Sequence, residues 1–251
     1  MAKLVWDQDG QKTYETGVSN GVLFTMKNDG TYNTGVAWNG LTSVNENPSG
    51  AEANPLWADN VKYLNLISAE EFKATVEAYA YPEAFKECDG SKEIIPGVYA
   101  GQQSRKKFAL VYKTLMGNDT DMTDYGYKLH IVYNATAAPS SKSYGTVNNS
   151  PEAITFSWEI DTTPVAVPDA KPTSHIVIDS TKVDADILAA IEDSLFGSAS
   201  GNSTLLLPED IVDLVSDDVE ETPGITETPG EGTQGTETQG GTETPGEGTN
   251  P

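Results

Sequence analysis

The sequence predicts a mainly β protein: a β-sandwich with one or two flanking α-helices, followed by a disordered C-terminal tail. In residues 127–133, apolar and aromatic side chains alternate with Lys128 and His130, as in an extended strand with one apolar face. Residues 153–160 alternate more strictly. Half-buried strands need a second layer over their apolar faces, so the rest of the chain is expected to supply it.

Shorter β-like runs lie on both sides of these two segments. Residues 70–80 fit two periods, because Phe72 and Val76 would also share one face of a helix. The alternation of period two is the longer match, so it predicts a strand. An acidic turn is predicted at residues 116–124. The other predicted strands are residues 22–26, 36–38, 61–67, 107–113 and 175–179.

Helical periodicity is strongest near the end of the folded part. Apolar residues recur every four positions in residues 183–195, which predicts a helix. Thr181 is predicted to cap its start, Asp184 lies in its first turn, and Gly197 follows its end. Two shorter helices are predicted at residues 82–88 and 208–215.

Residues 1–218 are expected to form one domain, of a size that can bury a core. Residues 1–20 are mixed and polar, and are predicted to be an arm that orders on contact with a partner. Residues 41–60 contain Pro48, Pro55 and several Asn, so a long loop is predicted there. Loops of this length inside a compact domain are usually functional.

Large apolar residues on or near that loop are candidate assembly contacts. Trp57 and Leu56 stand in otherwise polar surroundings, and an aromatic side chain in such a place is a candidate anchor for a partner. The alternative is that Trp57 folds back onto its own domain. Trp38 is the third assembly candidate.

The C-terminal segment, residues 219–251, has a different composition from the rest. It is rich in Thr, Pro, Gly and Glu, contains seven Glu and no basic residue, and is almost without apolar side chains. Such a segment cannot bury enough surface to offset the entropy lost on ordering. It is therefore predicted to be disordered.

The chain is strongly acidic. It has 15 basic and 38 acidic residues, a net charge of −23, and −16 remains without the seven Glu of the tail. Proteins that grip nucleic acid by its phosphates need Lys and Arg, so this class is disfavoured. A protein past which DNA moves without sticking is compatible with the charge.

Candidate catalytic and metal-binding residues are sparse. Ser19 lies in a G-x-S-x-G match, but a nucleophile elbow needs a strand before the Ser and a helix after it, and a β-like segment follows. His130 and His175 are each interpreted as isolated strand residues, and the lone Cys88 allows no internal disulfide. No catalytic, cofactor-binding or metal residue is therefore assigned, no cofactor is expected, and the chain is predicted not to be an enzyme.

Seven short strings are spread along the folded part of the chain: ETGV (15–18), GVAWNGLT (35–42), ADNVKY (58–63), SAEEF (68–72), EAYAYPE (77–83), GYKLH (126–130) and SPEAITFSWE (150–159). Together they resemble a known family, the major tail proteins (tail tube proteins) of long-tailed, non-contractile bacteriophages and prophages of Gram-positive bacteria. The resemblance extends over about residues 12–215 and stops at the tail, where some relatives carry an immunoglobulin-like domain.

The resemblance implies a ring-forming tail-tube fold without catalytic or metal residues. Subunits of this family form hexameric rings, and the rings stack into a tube through which phage DNA passes into the host. The implied partners are other copies of the chain, the tape-measure, tail terminator and distal tail proteins, and DNA that passes without specific binding. The implied location is the tail of the virion, after synthesis in the host cytoplasm and without a membrane.

The acidic charge adds an expectation about the channel. An acidic wall would repel a duplex from all sides, whereas a basic wall would bind its phosphates. Glu71, Glu77 and Glu159, on predicted strands with alternating faces, are the channel-lining candidates.

A non-enzymatic binding module of a bacterial surface is the alternative function, because the Thr/Pro/Glu-rich tail resembles a cell-wall stalk. The absence of an apolar run near Met1, and of a hydrophobic segment near Pro251, weakens this alternative.

Overall fold

The computed structural model, which describes residues 3–147, 149, 152–199 and 201–220, contains two larger antiparallel β-sheets that share one strand, three two-stranded ribbons and three helices. The predicted disorder of the tail therefore lies outside the described residues, except for Val219 and Glu220, which end the last helix. In chain order the strands are β1 (Tyr14–Thr25), β2 (Val36–Trp38), β3 (Leu41–Glu46), β4 (Ser49–Gly50), β5 (Ala53–Ala58), β6 (Val61–Ile67), β7 (Glu70–Glu71), β8 (Lys73–Ala78), β9 (Lys92–Ile95), β10 (Val98–Ala100), β11 (Phe108–Asn118), β12 (Met122–Ala137), β13 (Phe156–Asp161) and β14 (His175–Asp179); the helices are α1 (Phe85–Cys88), α2 (Ala185–Phe196) and α3 (Pro208–Glu220).

The first sheet has the strand order β2-β1-β11-β12-β14, and the second contains β13, β8 and β3. The long strand β12 belongs to both. Most of it pairs with β11 and β14, whereas its last residues, Thr136 and Ala137, pair with β13. Asn134, with φ of 49°, lies just before this change. A strand that bends from one sheet to the next closes one side of a sandwich.

The core between the two sheets is aromatic. Phe85 of the short helix α1 lies 4.5 Å from Trp38, 5.0 Å from Trp158 and 5.4 Å from Phe108, measured between ring centroids. All four side chains are buried. Tilted and edge-on aromatic pairs at these distances stabilise a core beyond their area alone.

The helices α2 and α3 cover the other face of the first sheet. Leu188, Ile191 and Leu195 of α2 pack in one cluster with Leu129 and Ile131 of β12. The alternation predicted for residues 127–133 is confirmed, since the opposite face, with Val132, belongs to the core between the sheets. The first sheet is thus covered on both sides and forms the middle of three layers.

The sequence locates most elements correctly, with differences at their ends. The strand chosen over a helix at residues 70–80 is confirmed as β8, preceded by the two-residue β7. The cap of α2 is corrected: Asp184 accepts a hydrogen bond from the Asp186 backbone, while the Thr181 hydroxyl donates to Asp179. The N-terminal segment, residues 1–20, was expected to order only on contact with a partner, but its residues 14–20 belong to β1.

The prediction of an irregular loop at residues 41–60 is wrong. This segment contains β3, β4 and β5 and the turn into β6. Pro55 is tolerated because it lies in a two-stranded ribbon, where one side of every strand is an edge.

Candidate assembly surfaces

A single long β-hairpin, called the arm below, runs from Leu41 to Ala78. Its strands pair in three steps: β3 with β8 at the root, β4 with β7 in the middle, and β5 with β6 at the tip. Asp59 and Asn60 make the terminal turn, both with positive φ, as the tight turns favoured in hairpins require. Only the root belongs to the sandwich.

The tip of the arm is apolar and exposed. Every residue of β5 and β6 is exposed, including Trp57, which keeps 68% of its surface accessible. Both faces of the ribbon carry apolar groups, because neighbouring residues such as Tyr63 and Leu64 point to opposite sides. The exposed large apolar residues of the tip are Leu56, Trp57, Val61, Tyr63, Leu64, Leu66 and Ile67.

Two of the three assembly candidates therefore lie together, and one does not. Leu56 and Trp57 are both on the tip, in β5. Trp38 is corrected: it is 3% exposed, packs between the sheets, and its indole N–H donates to the backbone oxygen of Ala80 at 2.9 Å. A side chain that fills the core of its own subunit cannot contact a neighbour without unfolding it.

A second exposed hairpin, formed by β9 and β10, was missed by sequence reasoning. Ile94, Ile95 and Val98 are exposed on it, and Gly97 turns the chain with φ of 83°. The Pro96-Gly97 pair, a strong turn signal, could have revealed this hairpin. It is too short for period-two alternation to show.

The outer face of the second sheet is polar. Because Val76 and Trp158 point into the core, their neighbours Glu77 and Glu159 point outward, and the Ser43 hydroxyl donates to Glu77 at 2.8 Å. Two channel-lining candidates thus share one face of one sheet. The third, Glu71, is exposed on β7, in the middle of the arm.

This polar face is acidic overall. Its cation, Lys73, lies 3.3 Å from Asp161 and 3.6 Å from Glu71, and the hydrogen bond and charge of Asp161 raise the pKa of Lys73. Lys73 thus stays positively charged, and its charge is balanced by Asp161 and Glu71. It does not compensate the negative charges of Glu77 and Glu159.

Ser19 does not lie in a nucleophile elbow. It belongs to β1 and pairs with Lys113 in the middle of the first sheet, at an irregularity in the strand register. Among the described helices, none is long and apolar enough to span a membrane.

Comparisons with known proteins find a distant likeness to solved structures. No family model matches the chain, and no curated protein matches it. A chain of the cryo-EM structure of the anti-feeding prophage baseplate is 8% identical, with a TM-score of 0.34, covering 73% of this chain and 100% of that one. A chain of the cryo-EM structure of the sheath-tube complex of an extracellular contractile injection system is 14% identical, with a TM-score of 0.28, and the match covers 64% of this chain and 88% of that one. Both scores are below 0.5, so neither likeness carries an argument.

Proposed function

We propose that this protein is the tail tube subunit of a long-tailed, non-contractile bacteriophage or prophage of Gram-positive bacteria. In this proposal it forms hexameric rings that stack into the tube of the virion tail, through which DNA passes. The resemblance over residues 12–215 supports this function. The tape-measure, tail terminator and distal tail proteins are its proposed partners at the ends and inside of the tube.

The observation that carries the proposal is the exposed arm. An isolated two-stranded hairpin is marginally stable in water, and exposed strand edges with apolar side chains promote association. The tip of this arm has both properties, since β5 and β6 pair only with each other and are exposed throughout. An arm of this kind is suited to dock on a neighbouring copy and to be covered there.

The polar sheet face supports the second part of the proposal, a channel for DNA. Duplex DNA carries about one charge per 1.7 Å of its axis, and a wall that carries Glu77 and Glu159 repels it. The repulsion reaches only about 8 Å at physiological salt, so residues that face the channel decide it. We place the outer face of the second sheet on the channel side.

Electron microscopy of the concentrated, purified protein tests the proposal. Rings or tubes with six-fold symmetry in negative stain are the expected result. The matched variant replaces residues 53–67 with a two-residue turn, which removes the tip and leaves the root strands β3 and β8 intact. This variant should stay folded and monomeric.

Monomers of the full chain under every concentration and salt condition would contradict the tube function. They would favour the alternative, a binding module of a bacterial surface. If the variant without the tip still formed normal tubes, the arm would not be the contact between subunits.

A further inference from the structure

The only two histidines of the chain meet in the structure, at the root of the arm. His130 of β12 and His175 of β14 lie on adjacent strands, and the His130 Nδ1 and His175 Nε2 atoms are 3.1 Å apart. The carboxylate of Glu46, the last residue of β3, completes the group. Its Oε1 atom is 3.7 Å from His130 Nδ1 and 3.9 Å from His175 Nε2.

The three atoms are spaced like the ligands of a metal ion. A triangle with sides of 3.1, 3.7 and 3.9 Å has a point about 2.1 Å from each corner. Bonds from zinc to imidazole nitrogen and carboxylate oxygen are about 2.0–2.2 Å long. By distance an ion therefore fits among the three atoms. The two imidazole rings are nearly parallel, with centroids 5.3 Å apart, and would turn so that both nitrogens point at the ion.

Neighbouring side chains hold the two ligands from β12 and β3 in place. The second ring nitrogen of His130, Nε2, lies 3.0 Å from the Thr114 hydroxyl, which can accept a hydrogen bond from the Nε2–H group and leave Nδ1 unprotonated to bind a metal. The Tyr112 hydroxyl donates to Glu46 Oε1 at 2.9 Å, and its ring stacks on His130 at 4.6 Å. Such outer contacts are typical of built metal sites.

The proposed ligands differ in how far they are exposed to solvent. His130 is 7% exposed and is therefore held away from bulk water. The Glu46 side chain is 39% exposed, so its carboxylate is the ligand that solvent can reach. Tyr112 and Thr114, which contact Glu46 and His130, also line a neighbouring cavity of about 230 Å³.

We infer that Glu46, His130 and His175 form a binding site for a divalent transition-metal ion of the zinc class. Two imidazoles and one carboxylate suit Zn²⁺ and its neighbours in the first transition row, whereas Ca²⁺ and Mg²⁺ prefer sites made of oxygen atoms. Three protein ligands leave a fourth position of a tetrahedral ion for water or another group.

The ion would brace the arm against the sandwich. Glu46 ends the first root strand, while both histidines belong to the first sheet. Phe72, just before the second root strand, packs on His175 with ring centroids 4.5 Å apart. Both strands of the arm thus contact the site as they leave the sandwich, and a bound ion would fix the direction in which the arm leaves.

Metal titration of the full chain, freed of metal with a chelator, tests the inference. Co²⁺ should bind at one per chain and give the visible absorption of a four-coordinate ion with nitrogen ligands, and one Zn²⁺ should abolish it. Excess Ca²⁺ or Mg²⁺ should not, which separates this site from the many surface carboxylates. At a hundredfold excess over its Kd, Zn²⁺ should raise the Tm by roughly 5–10 °C.

Two variants test the ligands, and a third tests the outer contact of His130 with Thr114. His175→Gln and Glu46→Gln should each weaken Zn²⁺ binding more than about 100-fold, and Thr114→Val about 10- to 100-fold. Glu77→Gln, a carboxylate of the neighbouring strand β8 that faces away from the site, is the matched control and should bind Zn²⁺ normally. Circular dichroism without metal checks that each variant is folded.

Two results would overturn the inference. The first is no stoichiometric Co²⁺ or Zn²⁺ binding by the folded wild-type chain, which would leave the histidines as a hydrogen-bonded pair. The second is binding that His175→Gln and Glu46→Gln leave unchanged, which would place the ion elsewhere. Both results are independent of tube formation, because the titration is done on the unassembled protein.

Discussion

Replacing Trp57 by Ala should prevent tube formation at concentrations where the wild-type chain assembles. Trp57 lies on the tip of the arm and is 68% exposed, so the substitution removes little from the folded subunit. In the proposed tube the same side chain is covered by a neighbouring copy. The loss should therefore fall on assembly and leave folding unaffected.

The size of the effect follows from the exposed area of Trp57. A tryptophan buries up to roughly 150–250 Å², and about two thirds of that is still available on this side chain. At about 25 cal/mol per Å², covering it contributes roughly 2.5–4 kcal/mol. Since about 1.4 kcal/mol is a factor of ten, the critical concentration for assembly should rise about 60- to 700-fold.

Sedimentation of assembled protein over a concentration series measures the critical concentration directly. Tyr144→Ala is the matched control, because Tyr144 is 72% exposed but lies outside the arm. The Tm of the Trp57→Ala monomer should equal that of wild type. Assembly of Trp57→Ala at the wild-type concentration would refute the reasoning, as would an equal loss in the Tyr144→Ala control.

Three further outcomes are expected. Reversing the charge of the polar sheet face with Glu77→Lys and Glu159→Lys should leave tubes intact but slow or block DNA passage in an assembled phage; normal infectivity would contradict the channel assignment. Truncation after Glu220 should leave the Tm unchanged, and a large loss would show that the tail stabilises the domain. Burial raises the pKa of the Cys88 thiol from its usual value near 9 to about 12, so the thiol stays protonated in the folded protein at pH 8. Alkylation at pH 8 should therefore occur only on unfolding, and rapid alkylation of the native chain would contradict this.

Strand prediction succeeded where one face of a strand is apolar and long enough to show its period. The segments 127–133 and 175–179 are such cases, and both lie in the first sheet. Only the first half of the arm, β3 to β5, escaped prediction, because Pro and Asn in residues 41–60 point to a loop. Its second half was predicted as the strands 61–67 and 70–80. The turn signal at Asp59 and Asn60, between two extended runs, was present in the sequence.

The candidate site residues show a different limit. A single aromatic residue carries no period, so sequence alone cannot distinguish Trp38 in the core from Trp57 on the surface. The two histidines are 45 positions apart, and they meet only because β12 pairs with β14 in the register that places Val132 opposite His175. That register depends on the complete sheet, so nothing local to either histidine reveals the pair.

If the tip docks on neighbouring copies as proposed, the root of the arm sets the direction in which the tip is presented. Between root and tip, β4 and β7 pair over only two residues, and Gly50 and Ala51 both have positive φ there, so the middle of the arm is its weakest part. A tip that must meet the same surface on every neighbour needs a defined direction, because each alternative direction costs entropy on docking. The contacts of Glu46 and Phe72 with the histidine pair are where the sandwich can impose that direction. In the proposed tube, assembly at the tip therefore depends on order at the root, and a change at the root should alter assembly without any change in the apolar surface of the tip.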